Sequence, residues 1–274
     1  YRIGGSANMK KRILSAIIMI LIFVPLLFIG GVPFTILMTL LALASMYELI
    51  TIREKKKKIP MLIKVISYLL VILSSILTYN QNIFSYTMSY QLISFIVLIF
   101  LLPILLKSKS MDYDINDALY LVGSLLFINI AFNLILVVRN YSLNYLIYLL
   151  LITVITDTFA LITGMYIGKN KLAPSISPHK TIEGFIGGAL MGTFVATTFY
   201  FTVIDSNISL VILILTTAFL SVVGQLGDLV FSSIKRTYGV KDFSNLIPGH
   251  GGILDRLDSI IFVILAFILV MGLI

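Results

Sequence analysis

The sequence predicts an all-α protein that crosses a membrane several times. Apolar and aromatic residues make up 59% of its 274 residues, and only 12% are charged. A soluble domain of this length could not cover so many apolar side chains with a polar surface. The apolar residues also fall into long runs, and a helix needs about 20 of them to cross a bilayer. The predicted fold class is therefore a polytopic membrane protein with about nine transmembrane helices.

Nine apolar runs are long enough to form such helices. They cover residues 13–30, 32–52, 61–79, 90–106, 116–138, 143–167, 183–204, 208–235 and 253–274. A Gly-Gly turn joins the first two runs, which leaves a re-entrant pair open as an alternative. Residues 1–8 resemble the remnant of an expression tag ahead of a natural start at Met9, so we expect one integral-membrane domain over residues 9–274.

The loops between the runs differ in their content of Lys and Arg. With the N-terminus in the cytoplasm, the cytoplasmic loops hold Lys10, Lys11, Arg12, Arg53, Lys55, Lys56, Lys57, Lys58, Lys107, Lys109, Lys169, Lys171, Lys180, Lys235, Arg236 and Lys241. The opposite loops hold only Arg139. Because cytoplasmic loops are enriched in basic residues, this predicts a cytoplasmic N-terminus and an outer C-terminus. The net charge of +8 then needs no nucleic-acid partner, and no nucleic-acid motif occurs.

Residues 224–258 gather eight charged side chains and His250 in a chain of which only 12% is charged. On a helix, Asp228, Ser232 and Lys235 fall at i, i+4 and i+7, on one face. Asp255 and Asp258 fall at i and i+3 at the start of the next helix, after a loop rich in glycine and proline. Three carboxylates can then converge on cations, and basic side chains with glycine N–H groups can bind phosphate. Carboxylate oxygens indicate Mg²⁺ or a similar divalent ion rather than zinc, and the absence of cysteine agrees.

A motif begins within the same segment at Ser232. It reads Ser-x-apolar-Lys-Arg, then Lys-Asp after four residues, then Pro-x-His-Gly-Gly-apolar-x-Asp-Arg-apolar-Asp. The fixed positions are Ser232, Lys235, Arg236, Lys241, Asp242, Pro248, His250, Gly251, Gly252, Asp255, Arg256 and Asp258. This pattern resembles the signature of the phosphatidate cytidylyltransferases, the CDP-diacylglycerol synthases. Residues 177–188, SPHKTIEGFIGG, resemble a second typical segment of that family.

The resemblance implies transfer of CMP from CTP to phosphatidic acid at a cation-dependent site on the cytoplasmic side of the cell membrane, with the catalytic part in about 150–274. It implies Mg²⁺, with room for a second cation such as K⁺. The implied catalytic residues are Asp228, Lys235, Arg236, His250, Asp255 and Asp258, of which Asp228, Asp255 and Asp258 are the metal ligands. The implied substrate-binding residues are Ser177, Lys180, Thr181, Ser232, Lys241, Gly251, Gly252 and Arg256. A homodimer is left open.

Simpler roles compete with several of these assignments. Thr181 can serve as the N-cap of the seventh helix, and acids such as Asp255 are favoured at a helix N-terminus by its dipole. Asp157, within the sixth run, either supports the metal site or bonds a neighbouring helix, because a lipid-facing carboxylate is costly. Glu48, near the end of the second run, is expected at the membrane interface. Asp112, Asp114 and Asp117 read as a solvated loop that ends near a helix start.

Two rival functions stay open at this point. An ion-coupled transporter would account for acids within apolar helices, but it should show repeat symmetry and acids near the midplane of the membrane. A related lipid nucleotidyltransferase with a different lipid acceptor would share the whole motif. A hydrolase with a G-x-S-x-G elbow and a P-loop enzyme are disfavoured, because neither motif occurs.

Overall fold

The protein is described by a computed structural model for residues 3–79, 90–105, 113–205 and 207–273. Within these residues the chain forms nine α-helices and one two-stranded hairpin. The helices are α1 (Ile3–Ile29), α2 (Gly31–Glu54), α3 (Met61–Thr78), α4 (Tyr90–Leu101), α5 (Ile115–Tyr141), α6 (Leu143–Ile167), α7 (Ile182–Phe199), α8 (Leu210–Thr237) and α9 (Leu254–Val270). The strands are β1 (Lys171–Ala173) and β2 (Ser177–Thr181), between α6 and α7.

Six of these helices are long and apolar enough to cross a membrane, as judged within the described residues: α2, α3, α5, α6, α8, and α7 with its π-helical extension Tyr200–Ile204. The apolar stretches of α1 and α4 are shorter, at Ile13–Ile29 and Gln91–Leu105, and α9 has 17 residues. The all-α membrane fold is confirmed at this level. The nine spans and the cytoplasmic N-terminus stay predictions, and Lys107, Lys109 and Asp112 lie outside the described residues.

The chain packs as two compact units. The first comprises Tyr1–Tyr141 and Asp242–Asp255, and the second comprises Ser142–Lys241 and Arg256–Ile274. The segment between α8 and α9 therefore packs with the N-terminal half of the chain. The expected single membrane domain over 9–274, its catalytic part and the tag remnant stay predictions.

In the first unit, an ionic cluster ties the end of α2 to the start of α5. Asp117 is 1% exposed and accepts from Arg53 Nη2 at 2.7 Å and Lys57 Nζ at 2.9 Å. Lys57 also bonds Asp114 and, as the main cause, lowers the pKa of that exposed carboxyl to about 2. The expectation of a solvated loop is therefore wrong for Asp117, because the start of α5 packs against two basic side chains of the α2 end.

In the second unit, α6 and α7 approach closely along a row of small residues. Gly184, Gly188 and Gly192 recur every four residues on α7, which lets two helix backbones meet. A methyl group built at Gly188 would lie 2.6 Å from the carbonyl oxygen of Thr156 on α6. Thr156 in turn bonds Ser221 of α8 at 2.7 Å. This packing holds together α6, which carries Asp157, and α8, which carries Asp228 and Lys235.

The hairpin was not predicted from the sequence. Its antiparallel strands pair Lys171 with Thr181 and Ala173 with Ser177. The carboxylate of Glu183, at the start of α7, accepts from the backbone N–H groups of Lys169 and Asn170 at 3.0 and 3.2 Å. The helix start was predicted correctly: Thr181 caps α7 by accepting from the N–H of Gly184 at 3.1 Å.

Candidate functional site

The hairpin brings Lys180 to the carboxylate of Asp228 on α8. Lys180 Nζ lies 2.5 Å from Asp228 Oδ2, and both side chains are 28% exposed. Lys180 belongs to the second of the two sequence segments singled out above, and Asp228 belongs to the first. The fold of the second unit therefore joins the two segments at this ion pair.

Two further carboxylates lie near Asp228 in the same unit. Asp258 on α9 interacts electrostatically with Asp228, with Asp157 on α6 and with Lys235. Asp157 also interacts with Asp228 and Lys180. We call these five residues (Asp157, Lys180, Asp228, Lys235 and Asp258) the charge cluster. Asp157 therefore has charged neighbours rather than an isolated place on its helix.

The predicted polar face of α8 is present. Ser232 Oγ donates to Asp228 Oδ1 at 3.3 Å, one helical turn along. Ser232 and Lys235 are each 8% exposed, so this face of α8 is covered by protein. The spacing in the sequence was enough to predict this arrangement, because residues at i and i+4 of a helix are neighbours.

The charge cluster fits a hard cation by its donor type. Its acidic members offer only carboxylate oxygens, which suit Mg²⁺ rather than zinc. In this structure the ammonium group of Lys180 contacts Asp228, and Lys235 interacts electrostatically with Asp258. Across the described residues, no group of three or more His, Asp or Glu side chains is already arranged as metal ligands.

Arg236 lies at the end of α8 and is bound to backbone carbonyls. Its Nε donates to Ile176 O at 3.1 Å, in the turn of the hairpin, and its Nη1 donates to Val240 O at 2.9 Å. The bond to Ile176 holds the hairpin against the end of α8. The side chains of Lys241 and Arg256 are exposed.

On β2, Ser177 and Thr181 share one face of the strand and Lys180 lies on the other. The Thr181 hydroxyl is engaged as the cap of α7, so the simpler role expected for it is present. Substrate binding by Ser177 and Thr181 stays a prediction. Lys180 is the residue of β2 that joins the charge cluster.

In the first unit, Asp255 organises the loop that precedes α9. Its Oδ2 accepts from the N–H groups of Phe243 and Gly252, each at 2.9 Å. Asp255 thus ties the two ends of residues 243–252 together. The predicted metal ligands are divided between the two units, with Asp255 in the first and Asp228 and Asp258 in the second.

Both glycines of the motif have a conformational reason to be glycine. Gly251 has φ +86°, a left-handed conformation that favours glycine, and it pairs with Ile247. A methyl group at Gly252 would collide with the carboxylate of Glu48. The N–H of Gly252 donates to Asp255 and would have to leave that bond in order to bind phosphate. Phosphate binding by Gly251 and Gly252 stays a prediction.

Glu48 is a functional candidate that the sequence did not reveal. It was expected at the membrane interface, but it is 0% exposed and accepts hydrogen bonds from Ser244, Ile253 and Leu254. These partners lie 196 to 206 positions later in the chain. A single acid near a helix end gives no indication that it contacts residues so far along the chain. Only a comparison of several sequences, in which this acid accompanied the motif, could have indicated the contact.

His250 is held by Ser15 of α1. Ser15 Oγ lies 2.7 Å from His250 Nδ1 and donates to Pro248 O at 3.1 Å. Ser15 thus links α1 to two residues of the loop before α9.

The chain is similar to known proteins over nearly its whole length. A model of the Cytidylyltransferase family matches residues 10–274. A phosphatidate cytidylyltransferase of Staphylococcus haemolyticus is 39% identical over 257 residues, which cover 93% of this chain and 96% of that protein. Proteins of the same name from Staphylococcus saprophyticus and Staphylococcus epidermidis are 38% and 40% identical, with the same coverage of both chains.

Proposed function

The chain belongs to the cytidylyltransferase family, and from this premise we propose that it transfers CMP from CTP to phosphatidic acid, giving CDP-diacylglycerol and pyrophosphate. The observation that carries the proposal is the extent of the similarity. Phosphatidate cytidylyltransferases match 93% of the chain, and the family match runs through all of residues 224–258. The protein is then a nucleotidyltransferase of phospholipid biosynthesis in a bacterial cell membrane.

The nucleophile is an oxygen of the phosphatidate phosphomonoester. It forms a bond to the α-phosphorus of CTP while the bond from that phosphorus to the β-phosphate oxygen breaks, and pyrophosphate leaves. The second pKa of a phosphomonoester is near 6, so the attacking oxygen is largely ionised at neutral pH. No protein group has to remove a proton. The chain must instead bring two anionic substrates together in line, as in other phosphoryl chemistry.

The charge cluster supplies the residues for this task. Lys180 contacts Asp228, and Lys235 interacts electrostatically with Asp258. Both offer ammonium groups to the substrate phosphates. Asp228 and Asp258, with Asp157 near them in the second unit, would hold Mg²⁺ and a second cation such as K⁺. Asp255 stays a metal ligand predicted from the sequence alone. When bound, such cations neutralise the triphosphate and the charge that develops on the leaving group. With a cation held by Asp228, the ammonium group of Lys180 would be available to bind phosphate.

His250 orients the loop before α9 rather than acting as a base. No base is needed, because the phosphate nucleophile is already ionised, and the contact of Nδ1 with Ser15 fixes the ring plane. Arg236 contributes by keeping the hairpin, and with it Lys180, against α8. Arg256 and Lys241 remain the assigned phosphate contacts outside the cluster.

We place the reaction at the cytoplasmic membrane interface. CTP arrives from water, whereas phosphatidate keeps its acyl chains in the bilayer, since exposing each CH₂ costs about 0.8 kcal/mol. The excess of Lys and Arg in the loops that include Lys180 and Lys235 supports the cytoplasmic side.

The test is CMP transfer by the purified protein. Phosphatidic acid in detergent micelles and labelled CTP should give lipid-linked CMP and pyrophosphate in equal amounts, and chelation of divalent ions should stop the reaction. The Asp228→Asn protein serves as the inactive control. Transfer to a polyprenyl phosphate but not to phosphatidate would replace this proposal with the related lipid nucleotidyltransferase.

A further inference from the structure

We propose that Glu48 is a positioning residue for CMP transfer, whose buried carboxylate holds residues 242–254 at the start of α9. We call these residues the Glu48-held segment. It carries His250 and the glycine pair of the motif, and it ends where α9 begins. The role in transfer rests on the function proposed above, whereas the hold on the segment does not.

Both oxygens of Glu48 are engaged by the segment. Oε1 accepts from Ser244 Oγ at 2.6 Å and from the N–H of Ile253 at 2.7 Å, and Oε2 accepts from the N–H of Leu254 at 2.9 Å. The first contact lies near the beginning of the segment and the other two lie at its end. One side chain from α2 therefore closes the loop from both sides.

The location of the carboxylate explains why it can be buried. A buried charge is costly unless hydrogen bonds compensate for it. The N–H groups at a helix start have no partner within the helix, and the helix dipole favours a negative charge there. Glu48 supplies this charge to α9 from a different part of the chain, so it acts as an N-terminal cap delivered by α2.

Glu48 and Asp255 divide the backbone of the segment between them. Asp255 accepts from Phe243 and Gly252, and Glu48 accepts from Ile253 and Leu254. Position 252 has no room for a side chain because Glu48 lies where the side chain would go. The glycine at position 252 of the motif is therefore matched to the side chain of Glu48 on α2. A residue that only capped α9 would not require a glycine at that position.

The consequence is a division of roles. Asp255 is an assigned catalytic residue, whereas Glu48 belongs to no part of the motif and acts through the segment. Loss of the Glu48 carboxylate should loosen the backbone around His250 and the first turn of α9. The alignment of the reacting groups should then suffer more than the binding of CTP.

The first measurement compares Glu48→Gln with the wild-type protein. The amide keeps the shape of the side chain but replaces one acceptor by a donor, so at least one of the three bonds is lost. We expect kcat to fall about 10–100-fold, as for other groups that orient catalytic residues, with little change in KM for CTP. Amide hydrogens of residues 242–254 should exchange faster than in the wild type.

A matched control is Asp117→Asn. It also removes a buried carboxylate from the first unit, but the partners of Asp117 are Arg53 and Lys57 and not the Glu48-held segment. This variant should keep kcat and the exchange rates of residues 242–254, even if its melting temperature falls. A loss of kcat in Asp117→Asn equal to that in Glu48→Gln would make the effect one of general stability and overturn the proposal.

Ser244→Ala keeps the test decisive if Glu48→Gln does not fold. It removes the 2.6 Å contact and leaves the backbone bonds of Glu48 in place. We expect a smaller fall in kcat and faster exchange at the start of the segment. Wild-type kcat and exchange in this variant, or in a folded Glu48→Gln protein, would overturn the proposal. A wild-type protein without CMP transfer would instead refute the proposed function, and the exchange measurement would still decide whether Glu48 holds the segment.

Discussion

Lys180 and Asp228 form a contact that is suited to exchange of partners. Both side chains are 28% exposed, and partly exposed ion pairs contribute at most about 1 kcal/mol to stability. A substrate phosphate can therefore compete for Lys180, and a cation can compete for Asp228, without a large energetic cost. A fully buried pair would resist this exchange, because breaking it leaves an uncompensated charge.

Replacement of Asp228 is the first prediction at this scale. Asp228→Asn removes the negative charge that interacts with Lys180, Asp258 and Asp157. It should lower CMP transfer at least ~10²-fold, by analogy with loss of other key electrostatic groups. The measurement is the rate with saturating CTP and phosphatidate. Asp205→Asn is the control, since Asp205 is an exposed acid that accepts a hydrogen bond from the N–H of Asn207. A folded Asp228→Asn protein with near-normal rates would remove Asp228 from the site.

The second prediction concerns His250. The attacking phosphate titrates near pH 6, so the rate of the wild type should rise with pH through that region. His250→Gln should lower the rate and keep this acid limb, because the ring positions the loop and takes no proton. Ser15→Ala, which removes the partner of Nδ1, should lower the rate in the same direction but less. An acid limb that disappears in His250→Gln would instead identify His250 as the base.

At the scale of the helices, the packing of α6 on α7 gives the third prediction. Gly188→Ala would place a methyl group 2.6 Å from Thr156 O and 2.8 Å from Ala160 Cβ, and overpacking of this kind costs about 1–3 kcal/mol. Gly123→Ala in α5 meets nothing within 4 Å and should be neutral or stabilising by up to ~1 kcal/mol. Thermal unfolding of the two variants in the same detergent tests this. Equal melting temperatures would contradict the close α6–α7 approach.

The elements show which parts of the site a sequence can predict. The face of α8 and the cap of α7 depend on neighbours within one helix, so the positions of Ser232 and Thr181 followed from spacing alone. The hairpin was missed because its strands are short and Pro178 lies within β2, which argues against a strand. Glu48 was missed because its three partners depend on how α2 packs against the segment before α9, and no local pattern encodes that contact.

At the scale of the whole molecule, the predictability of the membrane helices depends on their length. Helices such as α5 and α8, with 27 and 28 residues, are recognised from composition alone. The role of α4 is harder to predict, because its apolar stretch Gln91–Leu105 is short of the length that a straight span needs. The distribution of Lys and Arg predicts that α4 crosses, since otherwise the basic loops would not all lie on one side.

This difference gives the last prediction. If α4 crosses the membrane, Lys55 and Lys171 lie in the cytoplasm and Asn140 lies outside. If α4 does not cross, Lys55 and Asn140 lie on the same side.

The sequence contains no cysteine, and all three positions are exposed, so single cysteines can be placed there without background. We expect an impermeant maleimide to label Asn140→Cys in intact cells, and Lys55→Cys and Lys171→Cys only after permeabilisation. Lys171 is a better labelling position than the nearby Lys180, because Lys180 is paired with Asp228. Labelling of Lys55→Cys and Asn140→Cys from the same side would show that α4 does not cross. Labelling of Lys171→Cys in intact cells would place the hairpin, and with it Lys180, on the side of the membrane where CTP is absent.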